Sequence, residues 1–183
     1  AIDALTVLAP LHQPQSLRLI RAIQTVLPGL PQAASFDTAF HRTNAALMRR
    51  FAIPRDLHDR GIKRYGFHGL SYKYIAGELD RLARETARGR VVVAHLGSGA
   101  SLCGIYAGVS RDTSMGFSTL DGIPMATRCG ALDPGVLLHL MAREGHTPGT
   151  LEDLLYNKSG LLGLSGISAD SRDLLQSDAP EAK

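Results

Sequence analysis

The stretch Arg90-Val-Val-Val-Ala-His-Leu-Gly-Ser-Gly-Ala-Ser101 decides the fold, because an apolar run passes directly into a turn with two glycines. The run Val91 to Ala94 has the character of a fully buried strand. Leu102 to Tyr106 predicts its antiparallel partner, and Ala107-Gly108 predicts a second turn. Helical patterns lie on both sides of this hairpin, and such a mixture of helices and buried strands indicates an α/β fold.

Apolar spacing and capping residues predict the helices. Ser71 is the expected N-cap of a long helix ending at Gly89, and Thr150 the expected N-cap of a short one. Asp133 and Pro134 supply an N-cap and a first-turn proline. The predicted helices are Ser16 to Val26, His41 to Phe51, Ser71 to Gly89 (with Tyr74, Ile75, Leu79 and Leu82 on one face), Asp133 to Arg143 and Thr150 to Tyr156; Ala33 to Asp37 is a predicted strand, and Ala4 to Leu8 a strand or short helix.

The composition argues against several kinds of protein. Of 183 residues, 44% are hydrophobic, enough for a real core, and the net charge is only +3. The basic residues are scattered, without interleaved aromatic residues or tryptophan, which argues against nucleic-acid binding. Cys103 and Cys129 have neither metal-ligand spacing nor a disulfide framework, as expected in a reducing cytosol. No apolar run has membrane-spanning length, and the start at Ala1, without Met, indicates a fragment.

The turn from His95 to Ser101 is the first candidate for chemistry. Gly97 and Gly99 bracket Ser98 and let backbone amides turn toward an anion, while Ser98 and Ser101 add hydroxyl donors. The motif is neither a Walker loop nor a dinucleotide fingerprint. An ordinary glycine-containing hairpin is therefore the alternative interpretation.

Asp37 and His68 each have two interpretations. Asp37 follows the short predicted strand, where a carboxylate either holds Mg²⁺ through water or orients a nucleophile, or else caps the following helix. The pattern alone favours the cap. His68 lies in a turn between Gly66 and Gly69, from which its ring either donates hydrogen bonds to phosphate or is satisfied by packing.

Two further candidates contain arginine. Arg128 lies among small residues, where its guanidinium either neutralises the oxygens of a transferring phosphoryl group or forms a surface ion pair. The segment Asp170-Ser171-Arg172 is most simply another helix start.

Seven segments follow one another across nearly the whole chain: Leu8-Ala-Pro-Leu-His12, Phe36-Asp-Thr-Ala-Phe-His41, Arg64-Tyr-Gly-Phe-His68-Gly, His95-Leu-Gly-Ser-Gly-Ala-Ser101, Asp112-Thr-Ser-Met-Gly-Phe117, Thr127-Arg-Cys-Gly130 and Ser159-Gly-Leu-Leu-Gly163. In this order and spacing they resemble the acetate kinase (acetokinase) family, part of the acetate and sugar kinase, Hsp70 and actin superfamily. So many segments in one order are hard to obtain by accident.

The resemblance implies a role for each matching residue. Asp37 corresponds to the catalytic aspartate near the metal and the acyl carboxylate, and His68 and Arg128 to the pair that stabilises the transferring phosphoryl group. The other implied sites are a nucleotide-phosphate loop at His95, Leu96, Gly97, Ser98 and Gly99, a second nucleotide-binding segment at Asp170, Ser171 and Arg172, and a small apolar acyl pocket at Leu11, Phe67 and Thr119, with His12 nearby.

The resemblance also implies an architecture and a reaction. Two ribonuclease H-like lobes are expected, with residues 1–37 ending the N-terminal lobe and 38–183 forming part of the second, nucleotide-binding lobe, so that both lobes are incomplete. The expected reaction transfers the γ-phosphoryl group of ATP to acetate, with Mg²⁺, in a cytoplasmic homodimer that binds neither nucleic acid nor membrane. The alternatives are a propionate or butyrate kinase, and a truncated, non-catalytic module that binds nucleotide or self-associates.

The sequence departs from the familiar family form in two ways. Ser98 stands in place of Asn, Thr119 in place of Pro and Ala131 in place of an acidic residue, which affects the expected substrate preference and nucleotide affinity. The family segments that carry a metal-binding Asn, a metal-binding Glu and an acyl-binding Arg have no counterpart in the sequence. No metal ligand is therefore assigned within the chain, although Asp37 is expected near Mg²⁺.

Overall fold

A three-stranded antiparallel sheet positions the other elements. The computed structural model describes residues 13–183 together with Asp3 and Thr6. The strands β1 (Arg90–Leu96), β2 (Ala100–Tyr106) and β3 (Val109–Thr113) are adjacent in sequence and in space. Ala107 and Gly108, between β2 and β3, both have a positive φ, 50° and 74°, as tight hairpin turns require. The predicted hairpin and its second turn are thus confirmed.

Helices precede and follow the sheet, and a short 3₁₀ helix packs against β3 and the long central helix. No helix in residues 13–183 is both long enough and apolar enough to cross a membrane. The helices of the described residues are α1 (Gln13–Val26), a 3₁₀ helix (Ala39–Thr43), α2 (Arg55–Asp59), α3 (Gly69–Leu82), α4 (Arg84–Arg88), α5 (Pro134–Arg143), α6 (Pro148–Asn157), α7 (Gly160–Ser165), α8 (Ser171–Gln176) and a second 3₁₀ helix (Pro180–Ala182).

Two buried clusters hold these elements together. In the first, Tyr72 of α3 meets Cys103 and Ile105 of β2, because alternate strand residues face the same side of the sheet. In the second, Phe67 and Met115 pack with Ala100 and Met125 beside the start of β2. Ala100 directly follows the glycine turn, so the second cluster packs against the end of this turn.

The prediction that Val91 to Ala94 is fully buried is wrong. Along β1, exposed residues alternate with half-buried ones, and Val92 is 72% exposed. The reason is positional: among the described residues β1 pairs only with β2, and only the side that carries Val93 packs against α3 and β2. The central strand β2 is the buried one.

Two predictions for residues 33–51 are also wrong. Residues 31–36 form no regular structure, so the strand at Ala33 to Asp37 is absent, and His41 to Phe51 is not a helix. Instead the 3₁₀ helix Ala39–Thr43 ends at Thr43, and the backbone of the next residue, Asn44, is extended (ψ 137°). The side chains of His41 and Asn44 both bond to Ser110 of β3, so contacts distant in sequence determine the local conformation.

The long helix differs from its prediction in start, end and buried face. α3 begins at Gly69 instead of Ser71, and it ends at Leu82 because Ala83 leaves the helical conformation (φ −146°, ψ 62°). Gly89 follows α4, a separate short helix. Tyr72 is buried while Tyr74 is 66% exposed, because the sheet covers the face of α3 that carries Tyr72.

The remaining helix starts follow their capping residues. Asp133 accepts from the amide of Gly135 and Pro134 opens α5, as predicted. The cap of α6 is Thr147 and not Thr150; the two form a reciprocal capping box in which Thr150 occupies the third helical position. α1 includes the predicted residues 16–26 and starts three residues earlier. Of the predicted segment Ala4 to Leu8, every residue except Thr6 lies outside the described residues.

Candidate active site

The first part of the site is the start of α3, where Asp37 meets His68. The Asp37 carboxylate accepts from the amides of His68 (2.6 Å) and Leu70 (3.4 Å), and its carbonyl accepts from Gly69 at 2.9 Å. A Cβ on Gly69 would lie 2.1 Å from that carbonyl oxygen, so only glycine permits this approach. Asp37 therefore caps a helix, but it is α3 and not the following one, whose N-cap Thr38 makes no side-chain bond.

The His68 ring joins a chain of side-chain contacts. Its Nδ1 lies 2.8 Å from the Ser101 hydroxyl, which in turn contacts the Tyr72 hydroxyl. The ring stacks on His95 with centroids 4.0 Å apart and planes 23° apart, and His95 Nδ1 lies 3.0 Å from the Ser71 hydroxyl. Burial raises the pKa of Tyr72, so its hydroxyl stays protonated and can donate to Ser101.

Arg128 also lies beside this cluster. The residue is 7% exposed, and its Nη1 donates to the Thr119 carbonyl at 2.9 Å. A Cβ built on Gly99 would lie 2.6 Å from Arg128 Nη2 and 3.4 Å from His68 Nε2. Gly99 is therefore the meeting point of the guanidinium and the imidazole, and the space there exists because Gly99 has no side chain.

The charge of Arg128 is poorly compensated. Burial lowers its pKa, although a guanidinium still keeps its proton in a protein. Within the described part of the chain, none of the ion pairs involves Arg128. A buried cation without a carboxylate partner is costly unless an anion binds to it.

The backbone of residues 125–128 is held by the start of α7. The loop closes through the amide of Met125, which donates to the Arg128 carbonyl at 3.0 Å. Gly160, with φ 61°, allows close contact, since a Cβ there would lie 2.0 Å from the Met125 oxygen. Three amides donate to the loop: Ser159 to Thr127 O (2.9 Å), Leu161 to Met125 O (2.9 Å) and Leu162 to Ala126 O (3.0 Å).

A cavity of about 440 Å³ brings the two predicted nucleotide-binding segments together. Gly97 and Ser98 line it together with residues 170–172. Asp170 caps α8 through the amide of Arg172 (2.8 Å), which is the predicted helix start. The Asp170 carboxylate also bonds to the Arg172 guanidinium at 2.6 Å, which lowers the pKa of Asp170 to about 2.

The other predicted nucleotide contacts lie elsewhere. The ring of His95 is engaged in the stack on His68, and Leu96 is 75% exposed at the edge of the sheet. Only the glycine–serine part of the turn lines the cavity beside Asp170.

Comparison with known proteins identifies the relatives of this chain. The model of the acetokinase family matches residues 1–183. The chain belongs to this family. An acetate kinase of Nitrobacter hamburgensis is 52% identical over 182 residues, which are 100% of this chain and 45% of the relative. One of Rhodopseudomonas palustris is 55% identical over 176 residues, 96% of this chain and 44% of the relative. The acetokinase-family chain thus spans about half the length of the curated relatives it matches.

A solved structure gives the same fold. The crystal structure of a propionate kinase from Francisella tularensis superposes with a TM-score of 0.92 at 39% identity, over 99% of this chain and 48% of the other. The predicted α/β fold of the actin, Hsp70 and sugar kinase type is confirmed by this likeness. Among the described residues, the three antiparallel strands and the helices around them represent that fold.

The predicted acyl pocket is only partly described. Phe67 is 4% exposed within the second buried cluster, and Thr119 is 5% exposed with its carbonyl bonded to Arg128. Leu11 and His12 lie outside the described residues. The three pocket positions stay a prediction.

The described residues do not by themselves provide a metal site. Residues 13–183 with Asp3 and Thr6 contain no group of three or more His, Cys, Asp and Glu side chains able to hold an ion. The two oxygens of Asp37 already accept from two backbone amides. Each carboxylate oxygen can accept more than one bond, so the expectation that Asp37 lies near Mg²⁺ stays a prediction.

Several site contacts were not expected from the sequence. The sequence predicts Ser101 only as a hydroxyl donor for an anion, whereas in the structure its hydroxyl bonds to the His68 ring. Tyr72 had no assigned role, although it is fully buried against Ser101. The Ser159-Gly160 segment is part of the family resemblance but has no predicted function. Its contact with residues 125–128 depends on the tertiary structure.

Proposed function

We propose that this acetokinase-family protein catalyses the reversible transfer of the γ-phosphoryl group of ATP to acetate, which yields acetyl phosphate and ADP. The observation that carries the proposal is the convergence of Arg128 and His68 on the backbone at Gly99. A buried guanidinium without a described carboxylate partner, next to an imidazole and a glycine turn, is an arrangement for a multiply charged anion. The names of the relatives support acetate as the acceptor.

The chain's own residues act through charge and position. Charge on a transferring phosphoryl group spreads over its outer oxygens, and donors that are already in place stabilise it. Arg128 offers Nη2 and His68 offers Nε2 at the place that a Cβ on Gly99 would occupy. A carboxylate acceptor is ionised near neutral pH, so no general base is needed to activate it.

The nucleotide would approach along the glycine turn. Gly97 and Ser98 line the cavity of about 440 Å³, and Gly99, the next residue, lies against Arg128. Phosphates that extend from this cavity would therefore meet the backbone amides first and the guanidinium last. Asp170 to Arg172 line the same cavity, and the nucleoside would lie beside them.

The test measures acyl phosphate by trapping with hydroxylamine, with ATP and acetate as substrates, in the protein that carries this sequence. Arg128→Met should lower kcat by about 10²–10³-fold, the cost of losing one donor to transition-state charge, with a smaller change in KM for ATP. The matched control is Arg143→Met, at an exposed arginine at the end of α5. A kcat of the Arg128 variant within a few-fold of the control would contradict the proposal. Nucleotide binding without any acyl phosphate would favour a non-catalytic module.

A second candidate acceptor is propionate. The observation in its favour is the superposition on a propionate kinase over 99% of this chain. Relative kcat/KM for acetate, propionate and butyrate, measured in the same trapping assay, decides between them. An additional methylene in an apolar pocket changes the ratio by about 10–200-fold, so the preference will be plain.

Other features of the whole protein follow from its family. A divalent cation, with Mg²⁺ as the proposed ion, would supply further charge neutralisation through residues not assigned here. The proposed setting is a cytoplasmic homodimer, with residues 1–37 ending one lobe and 38–183 belonging to the nucleotide-binding lobe. Sedimentation of the purified protein tests the dimer.

A further inference from the structure

His41 is a buried histidine outside the proposed site that touches the backbone carrying His68. It is 2% exposed, and its Nε2 lies 2.9 Å from the Phe67 carbonyl oxygen. The amide of the next residue, His68, donates to the Asp37 carboxylate at 2.6 Å. This carbonyl and this amide belong to one peptide group, so two side chains hold the same peptide plane at both ends.

We propose that His41 is a positioning residue for His68. By fixing the Phe67–His68 peptide it orients the imidazole of His68 toward Gly99 and Arg128. The inference rests on the proposed function, because only that function makes the direction of the His68 ring matter for a rate.

The backbone of His68 needs this support. Its φ is 58°, a left-handed conformation that costs a residue with a Cβ about 1–2 kcal/mol. Such a conformation persists only where the surroundings over-determine it. Without the His41 bond the incoming peptide is held at one end only. His68 can then relax, and its Nδ1 can leave the 2.8 Å contact with Ser101.

The surroundings of His41 fix its ring tightly. A Cβ on Gly66 would lie 2.6 Å from the ring carbon Cδ2, and the ring meets Tyr72 edge-on at 5.8 Å between centroids. On the far side, Nδ1 lies 2.9 Å from the Ser110 hydroxyl. The ring is thus anchored to β3 through one nitrogen and holds the Phe67 carbonyl with the other.

The protonation of His41 agrees with this role. A carbonyl oxygen only accepts, so Nε2 of His41 must carry a proton. Burial lowers the pKa of His41, against the opposing influence of the Phe67 bond and of the Asp37 and Asp112 charges. The ring is therefore neutral near pH 7, with its single proton on Nε2. Nδ1 then accepts from the Ser110 hydroxyl, and because that hydroxyl has only one proton, Asn44 must turn its NH₂ group toward the Ser110 oxygen.

Two substitutions distinguish the hydrogen bond of Nε2 to Phe67 from the hydrogen bond of Nδ1 to Ser110. In His41→Gln the side-chain amide reaches about as far as Nε2, so it can still donate to Phe67. In His41→Asn it reaches about as far as Nδ1, so it can bond to Ser110 but falls short of Phe67. Both remove the ring, and urea unfolding measures the loss of stability that they share.

The expected result is a split between the two variants. His41→Gln should keep kcat within several-fold of the unsubstituted protein, whereas His41→Asn should lose about 10²-fold, the scale of a displacement of about 1 Å at a reacting group. KM for ATP should stay within a few-fold in both. Equal kcat values, or losses that follow only the folded fraction, would show a purely structural role and overturn the inference.

Nuclear magnetic resonance tests the inference without an assay of turnover. In the unsubstituted protein the imidazole ¹⁵N shifts of His41 must show the Nε2–H tautomer; the Nδ1–H tautomer would overturn the inference even if both variants failed to fold. In His41→Asn the amide proton of His68 should exchange faster than in His41→Gln. If the protein transfers no phosphoryl group, the proposed function fails, while these shifts and exchange rates still decide whether His41 holds the His68 backbone.

Discussion

Replacing Gly160 with alanine should displace the loop that carries Arg128. Gly160 has φ 61°, and a Cβ there would lie 2.0 Å from the Met125 carbonyl oxygen and 2.8 Å from that of Arg128. Real Cβ atoms essentially never come within 3.0 Å of such atoms. The start of α7 and residues 125–128 must therefore separate by about 1 Å.

The magnitude follows from two contributions. The left-handed conformation costs alanine about 1–2 kcal/mol. Separation also weakens the three amide bonds from residues 159, 161 and 162 to the loop, each with a net contribution of about 0.5–1.5 kcal/mol. If all three bonds are lost, Gly160→Ala should lower the free energy of unfolding by about 2.5–6.5 kcal/mol. A displacement of about 1 Å at Arg128 should lower kcat by about 10²-fold.

Gly166 provides the matched control. It has nearly the same φ, 63°, but a Cβ there meets no atom within 4 Å. Gly166→Ala should therefore cost only the conformational contribution, about 1–2 kcal/mol, and leave kcat within a few-fold. Urea unfolding followed by far-ultraviolet circular dichroism measures both. Equal losses in the two variants would refute the argument, because they would show that the contact between α7 and the Arg128 loop is not tight.

Three further predictions concern charged and titratable groups. Asp37→Asn should lower the free energy of unfolding by about 1–3 kcal/mol, because its NH₂ group would face one of the two amides that the carboxylate accepts; unchanged stability in urea would contradict the cap on α3. Arg172→Met should raise the pKa of Asp170 from about 2 toward its ordinary 3.8, as ¹³C carboxyl titration would record; an unchanged pKa would disprove the influence of the ion pair. Because burial lowers the pKa of His41 from 6.5, the unfolded chain binds the proton first, so stability should fall as pH decreases below about 6.5. His41→Gln should remove that part of the decrease, and an identical pH profile would show that His41 is not its source.

The sequence by itself predicted the features that depend on neighbours along the chain. A glycine turn between two apolar runs is enough for the β1–β2 hairpin, since antiparallel partners need only a short connection. Asp133 followed by proline is enough for the start of α5, because a cap acts within one helical turn. The order of seven short segments was enough to indicate the family, and the match over residues 1–183 agrees with it.

Tertiary contacts decided what local signals could not contain. Asp37 was expected to cap the next helix, yet its carboxylate reaches the amides of residues 68 and 70, about thirty residues further along the chain. The apolar run of β1 looked buried, but burial depends on what covers a strand, and only one side of β1 is covered among the described residues.

In the candidate site, too, the sequence predicted single residues, whereas the tertiary structure decided how they are arranged. Residue type and spacing marked His68, Arg128 and the glycine turn individually, each with an ordinary alternative. Only the folded chain brings the guanidinium and the imidazole together beside Gly99. It also leaves Arg128 without a carboxylate partner among the described ion pairs. Distances between residues far apart in sequence depend on the packing of α3, β2 and α7 together, which no single segment determines.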